Sequence, residues 1–474
     1  MEKCRCIVLT DINRGPEIDD IQSMLRLLLY ANCIDIEGLI ACTSCFVKHP
    51  GPKRNLKLLR SLIDAYEEAL PRLRIHAEGW PTAKQLHDRS AFGIPVFGRA
   101  PGDGFADERW TENDGVQRLL SAMRKDDERP LWIALWGGAN TLAQAVWQAE
   151  KSELPETFDA ILKKLRIYSI SDQDHAGHWL RERYGDRLFY IVSPSSGDFK
   201  GSSEYYLATW PGISADRSEH GSEDGIHHTK GFSGADYSCI DREWIHSHIR
   251  CTGRYGSRYP RTVFITEGDT PSFLGLIPNG LNEPERPDWG GWGGRYTRQQ
   301  LSNEPFPIWT TVSDTVVGTD GKEHTSPQAT IWRWRSAFQN DFAARIQWTA
   351  SDFRKNAPHP LVLSAPCTRL SGKPGEECLF SVNVEDPDGS GYNLSWLTYP
   401  EAGTFLGSAE AMRSEPALFS EEGERIRFRY RIPDGSGELH MLLQATTHSA
   451  IPLTRYLRFV IRVRSDEDPN GGDT

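Results

Sequence analysis

Six short apolar runs rich in β-branched and aromatic residues are spread over the first 266 residues, and segments of helical period stand between most of them. The runs are Cys6–Leu9, Ile34–Ile40, Leu131–Trp136, Leu165–Ile170, Leu188–Val192 and Thr262–Thr266. Helical spacing of apolar residues marks Ile21–Tyr30, Asn55–Leu70, the stretch opening at Asn140, and the stretch from His175 to Tyr184. Strands that alternate with helices and are apolar on both faces build a doubly wound, mostly parallel α/β sheet. In such a sheet ligands gather at the carboxyl ends of the strands. Four of the runs end there in polar or glycine clusters: Thr10-Asp11, Gly137-Gly138, Ser171-Asp172 and Glu267-Gly268-Asp269.

The pattern changes beyond Ala357-Pro358-His359-Pro360, which reads as a linker. Residues 76–110 read as a long surface insertion, 275–330 as loop, and Ala329–Ser351 as one long helix. After the linker the period drops from helical to two. Ile426, Phe428, Tyr430 and Ile432 fall on one face of a single strand. Short strands at Cys378–Val384, Asn393–Tyr399, Leu439–Thr446 and Tyr456–Val463, with turns between them, predict a β-sandwich of immunoglobulin-like type. The expected organisation is an α/β domain over 1–355, a sandwich over 356–465, and an acidic, disordered tail over 466–474.

The chemistry is expected in the first loop. Asp11, Glu17, Asp19 and Asp20 follow the opening strand within ten residues. Carboxylates held this close repel one another unless a cation joins them. A hard divalent ion with oxygen ligands, Ca²⁺ first of all, fits that need. The alternative is that Asp19 or Asp20 caps the helix and Glu17 is solvated. Capping needs one acid rather than four.

Charge and cysteine usage narrow the partners. The net charge of −11 argues against a nucleic-acid duplex. No apolar run reaches transmembrane length, and Met1-Glu2-Lys3-Cys4 leads directly into the first strand. A cytoplasmic protein is the expectation, with secretion open if a leader is missing. Nine cysteines without regular spacing fit reduced thiols, and Cys42-Thr-Ser-Cys45 lacks a second pair at zinc-site spacing. His227, His228, His246 and His248 form no strong zinc pattern and are expected in solvent. Fifteen Trp and fifteen Tyr supply faces that suit rings or bases, and large cores use such residues as well. Oligomeric state is left open, a homo-oligomer included.

Several stretches resemble the nucleoside hydrolases. Asp19-Asp20 is similar to the adjacent acids that open a helix in their calcium-binding aspartate loop. Gly137-Gly-Ala-Asn-Thr-Leu-Ala143 resembles the turn in which a backbone carbonyl ligates the metal and an Asn holds the ribose. Glu267-Gly-Asp269 falls where those enzymes place a further metal-binding aspartate. The closer likeness is to the nucleoside-hydrolase-like, or cellulose-binding, subfamily. It is carried by Trp136–Gln144, Ser171–Asp174 with Gly177, Glu267–Leu274, Trp289-Gly-Gly-Trp-Gly-Gly-Arg-Tyr296 and, in the tail domain, Asp386-Pro-Asp-Gly389 and Pro452–Tyr456.

The resemblance implies roles. Asp11 is preferred over Asn13 as the catalytic aspartate. Asp11, Asp19, Asp20 and Asp269 would hold the metal. Asn13, Glu17, Asn140, Asp172, Asp174, Glu267, Trp289 and Trp292 would contact substrate. The bland alternatives are helix caps for Asn140, Asp172 and Asp174, ordinary turn acids for Glu267 and Asp269, and buried packing for both Trp. Asp386 and Asp388 read as a simple turn. No His stands next to Asp269, so the proton donor for a purine-like leaving group has no candidate. The implied activity is metal-assisted, inverting hydrolysis of an N-glycosidic or glycosidic bond, with a sugar, a nucleoside or a polysaccharide as the implied ligand; the alternative is carbohydrate binding without turnover.

Overall fold

The structure is a computed structural model that describes residues 2–15, 17–48, 52–192, 209–210, 212–213, 234–261, 265–408 and 410–464. Thr262–Phe264 of the sixth expected strand, His227, His228 and the acidic tail lie outside the described residues.

Eight strands form the main sheet: β1 Cys4–Thr10, β2 Ile34–Ala41, β3 Ser90–Phe92, β4 Leu131–Leu135, β5 Leu165–Ser169, β6 Phe189–Val192, β7 Tyr296–Gln299 and β8 Ile308–Thr311. Their spatial order is β3-β2-β1-β4-β5-β6-β8-β7. All neighbours run parallel except β7 and β8. From β1 the chain moves outward through β2 to β3, then returns to lay β4 on the other side of β1. That reversal is the topological switch point, and the crevice it opens lies between the carboxyl ends of β1 and β4.

β1 is apolar from Cys6 to Leu9 because both of its faces are covered there. Cys6 and Val8 enter one core cluster with Met24, Leu28 and Leu59, while Ile7 and Leu9 enter the other with Val116, Leu135 and Leu142. The helices that matter for the site are α1 Asp19–Leu28, α2 Pro52–His76, α3 Asn140–Ser152, α4 His175–Tyr184 and α5 Arg335–Trp348.

Three expectations are corrected. Residues 76–110 are not a plain surface insertion: they contain the helix Ala83–Asp88 and β3, which extends the main sheet beside β2. Residues 275–330 supply two further strands of that sheet and the hairpin Asp314–Val317/Glu323–Ser326. The long helix is two pieces, Ala329–Trp332 and α5. The break falls at Trp334, whose φ of −105° and ψ of 3° leave the helical region, next to Arg333, which pairs with Asp314 at 3.0 Å. Helical spacing alone could not register that ion pair.

The C-terminal strands make two sheets around Phe380, Val382, Phe428, Tyr430, Met441, Phe459 and Ile461. This is the strand-rich, sandwich-like architecture expected from the period-two pattern. It does not stand apart from the α/β sheet. Arg458 donates to the Leu281 and Gly290 carbonyls at 2.9 Å each, and Tyr399 donates to Asp314 at 2.6 Å. One apolar cluster runs from Val8 and Met24 through Trp292 to Tyr399 and Tyr456. Among the described residues no helix is long and apolar enough to cross a membrane.

Candidate metal centre at the switch point

Thr10 ends β1 and uses its hydroxyl twice. It accepts from the Ile12 backbone N–H at 3.1 Å and donates to Asp20 Oδ1, which fastens the start of α1 to the end of β1. The loop between them folds on itself. Asn13 Oδ1 accepts from the Gly15 N–H at 2.5 Å, and Asn13 Nδ2 donates to the Asp11 carbonyl at 3.3 Å. Ile18 sits at the cap position of α1 without a side-chain cap bond, so neither Asp19 nor Asp20 is a helix cap; both lie buried in the first turn. The capping alternative for this pair is thereby removed.

The fifth acid, Asp269, arrives from the far end of the domain. The Gly268 N–H donates to Asp19 Oδ2 at 3.1 Å, and a Cβ on Gly268 would stand 2.3 Å from that oxygen. Glycine is needed for this approach. Glu267, just before it, adopts a left-handed φ of +52°, a strained conformation for a residue with a side chain. An ion pair with Arg26 (2.6 Å) and hydrogen bonds from Tyr259 (2.6 Å) and Thr270 (2.8 Å) hold it there. Glu267 therefore shapes the turn that delivers Asp269, and its oxygens are spent on Arg26, Tyr259 and Thr270 rather than turned to a ligand.

Two overlapping groups result. Asp11, Glu17 and Asp20 each offer an oxygen within 4.8 Å of the others, and so do Asp19, Asp20 and Asp269. Among the described residues both oxygens of Asp11, Oδ2 of Asp20 and Oδ2 of Asp269 are buried without a hydrogen-bond partner. Burial pushes the Asp11 carboxyl up to about 7; the nearby Ser44 hydroxyl lowers it and Asp19 raises it further. Burial, then Asp269 and Asp11, push Asp20 well above the carboxylate range, and burial, then Asp19 and Asp11, do the same to Asp269. A protein rarely leaves such groups bare, because an uncompensated buried charge costs several kcal/mol.

The β4 side of the crevice is made by Gly137 and Gly138. A Cβ on Gly137 would lie 3.0 Å from Asp11 Cβ, and one on Gly138 only 2.4 Å from Asp174 Oδ2. Asp174 accepts from the backbone N–H of Asn140 (3.0 Å) and of Ala176 (3.0 Å), so it ties the glycine turn to the start of α4. Capping is its observed work. Asp172 is bound to Arg181 at 2.6 Å. Asn140 is not the cap of α3, since Ala139 holds that position. Its amide donates to the Val96 carbonyl at 2.7 Å. Trp289 and Trp292 are both buried, Trp289 against the edge of His440 and beneath Arg286 and Arg369, Trp292 against Phe338. Neither offers a free face to a sugar. His246 is exposed, as expected, whereas His248 is half-buried with its ring stacked on Trp244. Asp388 accepts from the His359 ring at 2.9 Å, so the Asp386–Gly389 turn anchors the linker.

Sequence reasoning missed the strap over the crevice. Ile94 N–H donates to Thr141 Oγ1 at 3.0 Å, and His175 N–H to the Gly98 carbonyl at 3.0 Å. No motif signals it; only the packed glycine at 98, whose Cβ would stand 2.5 Å from Asp174 Oδ2, hints at close approach.

Residues 5–296, well over half of the chain, match the family described as cellulose-binding Sde182, nucleoside hydrolase-like domain. The chain belongs to that family. Residues 379–463 match the C-terminal domain of the cellulose-binding protein Sde0182, as expected of a member that carries both parts. A solved structure of a nucleoside hydrolase-related hypothetical protein from Saccharophagus degradans, described as associated with carbohydrate metabolism, aligns over 98% of this chain and 100% of its own. Its identity is 28% and the TM-score 0.74. Murine CRIg aligns over 23% of this chain with 12% identity and a TM-score of 0.18, which carries no argument. No curated protein matches.

Proposed function

We propose that this member of the Sde182 family is a metal-assisted hydrolase of glycosidic or N-glycosidic bonds. The observation that carries the reading is the set of buried, partnerless carboxylate oxygens on Asp11, Asp20 and Asp269 at the switch point. The donor set is all oxygen, which fits a hard cation such as Ca²⁺. Asp19, Asp20 and Asp269 would hold it, with Asp11 and Glu17 grouped beside them around Asp20. When bound, the ion supplies positive charge that lowers the pKa of water and of sugar hydroxyls beside it.

The chain's own residues supply the rest. Among the described residues Asp11 alone of the group has both oxygens buried without a hydrogen bond of normal geometry, so it is the group able to take a proton from an attacking water. Thr10 and the Gly268 N–H keep Asp20 and Asp19 fixed while it does so. Gly137 lets the β4 turn close against Asp11, which excludes bulk water from one side. Inversion follows if a single displacement by water is the whole reaction.

The rival reading, carbohydrate binding without turnover, draws support from the cellulose-binding description of the family. Burial of Trp289 and Trp292 removes the aromatic strip that would have favoured it at that segment. One screen separates the two. Nucleosides and oligosaccharides are incubated with wild type and Asp11→Asn, each with and without chelator. Turnover by wild type alone, abolished by chelator, supports hydrolysis; binding by both proteins with no product from either supports the rival.

A further inference from the structure

The acid loop forms one wall of a second feature. A groove of ≈ 930 Å³ runs past Asn13 and is lined by Arg14, Lys48, Arg54, Asn55 and Lys57. That volume accommodates more than one sugar ring. Asn13 belongs to both places, since its amide also holds the Asp11 carbonyl.

The charge of this groove runs against that of the chain. The protein carries −11, yet the groove presents four cationic side chains, Arg14, Lys48, Arg54 and Lys57, and no carboxylate among its described lining residues. All four are exposed. Helix α2 begins here with Lys53 and Arg54 and has no acid in its first turn. That is the reverse of the arrangement a helix dipole favours, because cations sit at the positive end. An anion at this end would relieve both the dipole and the clustered charge. A separate observation points the same way. Asn55 lines the groove, is 1% exposed, and its Nδ2 has no acceptor among the described residues. A buried amide donor without an acceptor is costly unless a ligand completes it.

We propose that this groove receives an oxyanion carried on a sugar, so that the substrate or ligand of the neighbouring centre is an acidic saccharide. The inference rests on the reading of the Asp11 centre as sugar-directed. Arg14, Lys48, Arg54 and Lys57 supply long-range attraction, and Asn55 Nδ2 supplies the directed hydrogen bond. The oxyanion is either the carboxylate of a uronate or the phosphate of a sugar ester; both match this donor set.

The test is calorimetric binding of a galacturonate trisaccharide, glucose 6-phosphate and neutral cellotriose to the full chain, at low and high salt. The same series is run on the Arg54→Gln/Lys57→Gln double variant, whose two positions are exposed and lie outside the acid cluster. Wild type should bind one of the charged sugars at least about tenfold more tightly than cellotriose, with the preference lost in the double variant and eroded by salt. Preference for the uronate or for the phosphate identifies the source of the oxyanion. Equal affinity for cellotriose and both charged sugars, or an unchanged preference in the double variant, overturns the inference. Asp19→Asn separates the two readings. If it loses metal dependence but keeps the charged-sugar preference, the groove works independently of the centre's chemistry. If wild type turns over neutral sugar with metal and shows no charge preference, the groove inference fails alone.

Discussion

Buried carboxylates occur in two settings in this molecule. In one, arginine meets them. Glu267 has Arg26 at 2.6 Å, Asp314 has Arg295 at 2.6 Å and Arg333 at 3.0 Å, and Asp341 has Arg455 at 2.7 Å and Arg345 at 3.1 Å. Tyrosine hydroxyls complete each set, from Tyr259, Tyr399 and Tyr30. In the other setting, Asp11, Asp20 and Asp269 share a small volume, and among the described residues four of their oxygens are buried without a hydrogen bond of normal geometry. The two settings adjoin: Glu267 and Asp269 are two residues apart, and only the first has a guanidinium. The fold thus supplies arginine where a carboxylate serves as scaffold and withholds it at the cluster where we propose that a cation binds.

That contrast is easiest to break on the paired side. Arg26→Ala leaves Glu267 buried and charged with its turn strained, and is expected to cost about 3–5 kcal/mol in urea unfolding. A loss below about 1 kcal/mol would mean that the paired acids are no more dependent on partners than the bare ones.

The next effect comes from the bare side. Calcium at roughly a hundred times its Kd should stabilise wild type by about 2.7 kcal/mol and leave Asp269→Asn unmoved. In chelator the order should change: Asp269→Asn should match or exceed wild type, because one repelling charge has gone. A variant less stable than wild type without metal would place Asp269 with the scaffold acids instead.

The smallest effect is in pH. Burial works to raise the Asp341 carboxyl, but Arg455 and Arg345 outweigh it and hold it at about 2 against an ordinary 3.8. The stability from this pairing is complete above pH about 4 and is lost as pH falls toward 2. Asp341→Asn should remove that part of the acid sensitivity, on the order of 2 kcal/mol across the window. Parallel acid limbs in the two proteins would contradict the assignment.

Much of the fold was legible because period and strand ends carry it. β1, β2, β4, β5 and β6 were visible as apolar runs, and the sandwich strands as alternation around Phe428 and Tyr430. What failed was short or decided by distant partners. β3 has three residues, too few to show a period, and pairs with β2 only because the chain returns there. The split between Ala329–Trp332 and α5 falls at Trp334, beside the ion pair of Arg333 with Asp314, a residue of a neighbouring hairpin. At the centre, the acids of the first loop were legible as a crowd of like charge, and Asp269 through its resemblance. Their partners were not. Whether Glu267 faces a sugar or Arg26 is settled by residues 241 positions apart. Trp289 and Trp292 were ambiguous for the same reason: the surfaces that bury them include His440 of the sandwich and Phe338 of α5.

The central claim is that the cluster at the end of β1 holds a divalent cation. Calcium titration of metal-free Asp19→Ala, beside wild type and with far-UV circular dichroism on both, tests it most directly. Saturable binding by wild type, absent from an Asp19→Ala protein with an unchanged spectrum, is the expected result. An identical titration in the two proteins would contradict it.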